Sequence, residues 1–165
     1  MNDSNTAPCI SDELERDLRH LYEDYTDTVD SQDLETWPSY FTEDCLYQVI
    51  SRENHEAGLP HATIHCVGLA MVRDRALATR ECTVYEPRYL RHFLQRLRVT
   101  DIVNEEAHVR GGFLLIESVS DEAPRILLTG HYLDVVVRTP EGLKFRQRLC
   151  VYDNFRIHNS LVFPV

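Results

Sequence analysis

The residues best suited to chemistry lie between Val84 and Val99. Arg88, Arg91, His92, Arg96 and Arg98 are interleaved there with Tyr85, Tyr89, Leu90, Phe93 and Leu94, behind Pro87. Four guanidinium groups set among large hydrophobes fit poorly to a solvated surface. A guanidinium in an apolar setting needs a carboxylate or carbonyl partner. That partner is a bound anion, the chain's own acidic half or a carboxylate of another subunit, and the segment alone does not choose among them.

Other chemistry-bearing residues are sparse. His61 and His65 lie four apart and His55 adjoins Glu56, but a zinc or iron site needs three or four convergent ligands. The segment from His61 to His65 reads as extended, which separates its two imidazoles. Iron–sulfur ligation of the Rieske type needs closely spaced Cys and His, and the chain has no Cys-x-His. No metal, haem or cluster is expected in this chain. Gly-x-Ser-x-Gly, a phosphate loop and Gly-x-Gly-x-x-Gly are absent too. What remains is general acid–base work in an apolar pocket, with His92, Tyr47, His131 and Asp134 as candidates. The competing reading makes His92 and His131 hydrogen-bonded strand residues and Tyr47 a core residue.

Composition narrows the class. The chain has 165 residues, 43% hydrophobic and 27% charged, which suits one globular domain. Residues 1–10 read as a flexible N-terminus and 11–165 as a single domain. Met1–Pro8 has neither the basic start nor the apolar core of a secretory signal, and no stretch has the length of a membrane span. Cys9, Cys45, Cys66, Cys82 and Cys150 are odd in number and scattered, as in reduced thiols of a cytoplasmic protein. The net charge of −10 opposes nucleic-acid binding. It is unevenly spread: residues 1–60 carry −12 (15 acids, 3 bases) and residues 61–165 carry +2. Of the 17 basic residues only Lys144 is lysine.

The elements that must position these residues run helices first, strands last. Ser11–Val29 puts Leu14, Leu18, Leu21, Tyr25 and Val29 on one helical stripe, with Ser11 as cap and Asp12 and Glu13 at the positive end. A helical turn is expected around Asp33–Trp37, stopped at Pro38. Then follow a strand over Cys45–Arg52, a loop over Asn54–Pro60, and a helix over Gly68–Thr79 with Leu69, Val72, Ala76 and Leu77 inward. Strands are expected over Leu90–Val103, Ala107–Val119, Arg125–Thr139, Leu143–Ile157 and Ser160–Val165, separated by short turns that imply an antiparallel meander. Gly111-Gly112 and Gly130 suggest bulges that curve the sheet. The fold class is α+β, with helices packed on a curved antiparallel sheet.

Five motifs in order carry a family resemblance. They are Asp33-x-x-x-Trp37-Pro38-x-Tyr40-Phe41-Thr42-x-Asp44-Cys45-x-Tyr47 and Asn54-His55-x-x-Gly58-Leu59; Arg73-Asp74-Arg75 with Ala78-x-Arg80-Glu81; Tyr85-Glu86-x-x-Arg88-Tyr89-x-Arg91-His92; and the closing Asn159–Val165. From about residue 11 onward the chain resembles the small (beta) subunits of bacterial aromatic-ring-hydroxylating dioxygenases, most like those of terephthalate dioxygenase and salicylate 5-hydroxylase.

The resemblance implies a cone-shaped fold like that of nuclear transport factor 2 (NTF2-like, cystatin-like). It implies assembly with a large subunit into a hexamer of three large and three small subunits (α3β3), with the small subunits forming a trimer. The Rieske [2Fe-2S] cluster and mononuclear Fe(II) would belong to the large subunit, and this chain would be architectural and non-catalytic. The complex would oxidise an aromatic carboxylate (terephthalate-, salicylate- or benzoate-like) with O2 and electrons from NAD(P)H. Arg88, Tyr89, Arg91 and Phe93 then become candidates for a subunit contact, set against an internal ion pair such as Arg91 with Asp44 or Glu81. The alternative is a free-standing dehydratase or isomerase of the same fold.

Overall fold

Ser11 begins the first helix by chemistry that its sequence context requires. Its Oγ accepts from the Leu14 amide at 3.2 Å, satisfying one of the free N–H groups at the start of α1 (Asp12–Asp30). The structure is a computed structural model and describes residues 10–157 and 160–165. The N-terminal expectations for residues 1–9, including the Cys9 thiol, and the turn at His158–Asn159 lie outside the described residues.

The α1 stripe buries Leu18, Leu21, Tyr22, Tyr25, Thr26 and Val29. Pro38 does not stop a turn but sits in the first turn of a short 3-10 helix, Trp37–Tyr40, where no backbone N–H is needed and its lack of one costs nothing. Strand β1 (Phe41–Ser51) starts four residues earlier than expected. The expected loop at Asn54–Pro60 is partly a one-turn helix, α2 (Arg52–Glu56), capped by Ser51. After β2 (Ile64–Val67), Gly68 caps α3 (Leu69–Glu81) at φ 79°, a left-handed conformation that favours glycine. Leu77 is exposed, not inward. The buried face of α3 runs through Leu69, Val72, Ala76 and Thr79, and Leu77 lies a helical step away from it.

The single long strand expected over Leu90–Val103 is two, β3 (Arg88–Leu94) and β4 (Arg98–Val103), both paired to β5 (Glu106–Val119). β6 (Arg125–Thr139) and β7 (Gly142–Tyr152) complete a seven-stranded sheet of order β2-β1-β7-β6-β5-β3, with β4 also on β5. The sheet is mixed, because β1 pairs parallel to β7 while all other pairings are antiparallel. No hairpin joins β1 to β7, so no short turn fixes their direction.

The glycines act as space-makers, not bulges. A Cβ on Gly111 would lie 2.5 Å from Leu97 Cδ2, one on Gly112 would strike the Gln95 side chain, and one on Gly130 the Val151 carbonyl. The register shifts fall elsewhere in β5 and β6, at Leu115/Ile116 and Val135/Val136. Residues 160–165 are not a strand. Arg75 Nη2 donates to the Leu161 and Val162 carbonyls, and Phe163 and Val165 are buried in the main core. α1 and α3 contribute to that core on one sheet face, whereas the opposite face carries a smaller cluster around Ile50, Leu149 and Val151.

Candidate functional site

A pocket for acid–base chemistry would have to lie between α1 and the inner sheet face. Rings fill that space. Tyr22, Tyr25, Trp37, Phe41, Tyr47, Tyr132 and Phe145 are all at most 1% exposed, and edge-on contacts link Tyr25 to Phe41 and Phe145, and Trp37 to Tyr47. Within them sits Arg148, fully buried, its Cζ 3.9 Å from the Tyr132 ring centroid and 4.1 Å from that of Tyr25. Arg148 Nη1 donates to Asp134 Oδ2 at 2.8 Å, and Tyr22 OH donates to the same oxygen at 2.5 Å. This ties α1, β6 and β7 together through one carboxylate. Burial pushes Asp134 up to about 6, against the opposing pull of Arg148 and Tyr22.

Residues 160–165 close the same interior. Val165 N donates to Tyr47 OH at 2.9 Å, while Tyr25 OH donates to the Val165 carbonyl at 3.0 Å. Trp37 Nε1 in turn donates to Tyr25 OH. Tyr47 is thus a core hydroxyl already engaged by backbone.

The four acid–base candidates therefore do not converge. Asp134 binds Arg148 and Tyr22, and Tyr47 binds the Val165 amide. His92 is buried on β3 with Nδ1 2.6 Å from Asp30 Oδ1. His131 lies on the opposite sheet face, half-buried, where burial and then Arg110 lower its pKa. Among the described residues no three His, Cys, Asp or Glu side chains are placed to hold a metal. His65 sits exposed in β2 and His61 exposed before it.

The arginine segment divides into an inner and an outer row, as strand alternation requires. Arg88, Leu90 and His92 point inward; Tyr89, Arg91 and Phe93 point out. Arg88 is buried, and its partner is internal: Nη1 donates to Glu117 Oε1 at 2.8 Å. Glu117 also receives Arg125 through Oε2 at 2.9 Å. Arg91 pairs with neither Asp44 nor Glu81. Among the described residues its one carboxylate is Asp30, at 3.9 Å, with the Arg91 side chain 68% exposed. Tyr89 is 80% and Phe93 52% exposed.

Asp30 also explains how the β3 edge is covered. It accepts the His92 amide at 3.0 Å, and Gln32, at φ 61°, donates its Nε2 to the Arg88 carbonyl at 2.7 Å. Side chains at the end of α1 thus occupy edge groups that would otherwise invite another strand. Sequence reasoning missed Arg148, Tyr22, Asp30 and Glu117. Only Asp30 had a signal, the acids gathered at the end of α1 where the helix dipole disfavours them.

Four likenesses bear on what this architecture is. Residues 12–149 match the SnoaL-like domain family. The chain is 33% identical over 141 residues to the anthranilate 1,2-dioxygenase small subunit of Burkholderia cepacia, covering 86% of this chain and 88% of that one. It is 28% identical over 141 residues to the terephthalate 1,2-dioxygenase terminal oxygenase component subunit beta 1 of a Comamonas species, covering 86% and 92%. A crystal structure from Novosphingobium aromaticivorans, assigned as the beta subunit of an aromatic-ring-hydroxylating dioxygenase, superposes with TM-score 0.85 at 29% identity over 93% of this chain and 97% of that one. The interior filled by rings, the covered sheet edge and these likenesses agree: the chain belongs to the SnoaL-like, NTF2-like α+β family, and within it to the small subunits of aromatic-ring-hydroxylating dioxygenases.

Proposed function

We propose that this chain is the structural, non-catalytic small subunit of a terminal oxygenase. Its large subunit would carry the Rieske [2Fe-2S] cluster and the mononuclear Fe(II). The complex would oxidise an aromatic carboxylate of the anthranilate, benzoate, salicylate or terephthalate kind with O2 and NAD(P)H-derived electrons, in the cytoplasm. Residues 11–165 act as one domain, trimerise, and support three large subunits in an α3β3 hexamer.

The observation that carries this reading is the filled interior. A dehydratase or isomerase needs room for a substrate beside its acid and base, whereas Asp134, Tyr47 and the rings around Arg148 occupy that room themselves. The outward row Tyr89, Arg91 and Phe93 has the composition of an interface centre, aromatic with arginine, and Arg91 keeps most of its donors free. Arg88 supports that row from beneath through Glu117. Co-expression with a Rieske-type large subunit tests the proposal. A stable complex whose assembly weakens in Arg91→Ala and Phe93→Ala is expected. A chain that never joins such a partner would overturn it.

A further inference from the structure

The sheet face turned away from α1 and α3 has an order that the strand register makes explicit. Its outward side chains form rows across the strands. One row runs Arg98, Arg110, Leu133, Leu149, Gln48 and His65, from β4 to β2. The next row includes Val135, Gln147 and Leu46. The middle of this field is apolar: Leu46 and Leu133 are half-buried and pack on Ile50, Leu149 and Val151. Tyr89, Arg91 and Phe93 stand outside it, because β3 and β4 pair with different halves of β5.

The two ends of the field carry opposite and unmatched charge. At the β4–β5 end Arg98 lies directly opposite Arg110, and both are exposed. Like charges so placed repel. Neither has a carboxylate partner among the described residues, and the acid of the next row, Asp101, stands opposite His108. At the β1 end Asp44 is exposed, with the Thr42 hydroxyl donating to it at 2.8 Å. Glu53 and Glu56 follow, exposed on α2, and beyond them Ala62 packs onto this same face. None of these three carboxylates has a basic partner among the described residues, whereas Arg52 and Arg73 nearby are held by Asp153 and Glu43. β6 and β7 lie between β5 and β1. At about 4.8 Å per strand this puts roughly 14 Å between the two ends, too far for an ion pair within one chain.

We propose that this face joins copies of this chain head to tail, the Arg98–Arg110 end of one against the Asp44, Glu53 and Glu56 end of the next, in a ring of three. A closed ring of three needs two different patches on each chain, because a self-complementary patch closes at two. This face supplies both, toward opposite edges of one sheet, with the apolar middle turned to the axis. A neighbour's carboxylates offset the repulsion between Arg98 and Arg110 and suit the guanidinium geometry. The number three rests on the proposed function; the polarity of the contact rests on the two ends. The outer face is thereby divided by partner, and Tyr89, Arg91 and Phe93 are left to the large subunit.

The test is the mass of the full chain in solution, read by sedimentation and light scattering over a dilution series. The wild type should have the mass of three chains. R98E/R110E and D44K/E53K/E56K should each raise the concentration of half-dissociation about a hundredfold, since each sets like charges face to face. The variant carrying all five changes exchanges the two ends and should regain the trimer, which also shows that the changes leave the fold intact. Methyl resonances of the wild type give a second reading that needs no variant: those of Leu46, Leu133 and Val135 should shift on dilution. A wild type of one or two chains, either reversal without effect, or a five-change variant no better than its parents would overturn the proposal. So would dilution shifts confined to Ile116 and Ile126, which stand in the row of Arg91. A chain that stays single yet joins a Rieske-type large subunit would overturn the ring and keep the assembly reading. A trimer that joins no large subunit would do the reverse.

Discussion

Arg148 and Arg91 each face a carboxylate, at 2.8 Å and 3.9 Å, and the two settings differ in every other respect. Arg148 is fully enclosed, stacked among four rings, and shares Asp134 with a tyrosine from α1. Arg91 is mostly in water, loosely tied to a carboxylate already engaged by His92. The difference separates what holds the fold from what is left for a partner. Removing water makes the inner pair costly to break and useless for binding, whereas the outer arginine contributes little to folding and keeps donors to give.

The comparison is broken most directly at Arg148. Arg148→Met removes the charge that holds Asp134 down, so its buried carboxyl must take up a proton at neutral pH with Tyr22 as its remaining partner; this should lower unfolding free energy by about 3–5 kcal/mol in urea titrations. Removing both charges together in R148M/D134L should cost less than R148M alone; an equal or larger loss would mean that the rings, not the pair, set the stability. Glu117→Ala, which strands the buried Arg88, should cost about 3 kcal/mol by the same measurement.

A pH series sharpens the inner half. Asp134 has a folded pKa of about 6 against an ordinary 3.8. A raised value means that the folded state holds its proton more tightly. This favours the fold fully below pH 3.8, and the advantage is lost as pH rises through 6. Relative to Asp134→Asn, the wild type should therefore lose on the order of 1–3 kcal/mol across that interval. A difference that stays flat with pH would contradict the burial argument. The smallest expected effect is on the outer side, where Arg91→Ala should change stability by less than about 1 kcal/mol.

Local chemistry made much of this legible in advance. Ser11, the α1 stripe and the spans of β5 and β6 follow from capping and periodicity alone. The Arg148 site does not, for a specific reason. Counting alternate residues from the inward Phe145 predicts Gln147 inward, but Val136 pairs with Phe145 and Val135 with Gln147, so a bulge at Arg146 turns Arg148 inward instead. Arg88 and Arg91 were visible as residues in need of carboxylates, but Glu117 and Asp30 lie 29 and about 60 positions away in sequence, where only the sheet register and the end of α1 bring them close. The closing segment reads as a strand because it is apolar. It is held through side chains and its own backbone groups to Arg75, Tyr25 and Tyr47, which no local pattern announces.

The claim at the centre is that this chain supports chemistry carried by another subunit. Affinity co-purification of the tagged chain, co-expressed with a Rieske-type large subunit and followed by mass measurement of the intact complex, tests it most directly. The account predicts a complex with equal numbers of both chains, with iron and aromatic oxygenation found only when the large subunit is present. A chain that purifies alone and by itself dehydrates or isomerises a small substrate would contradict it.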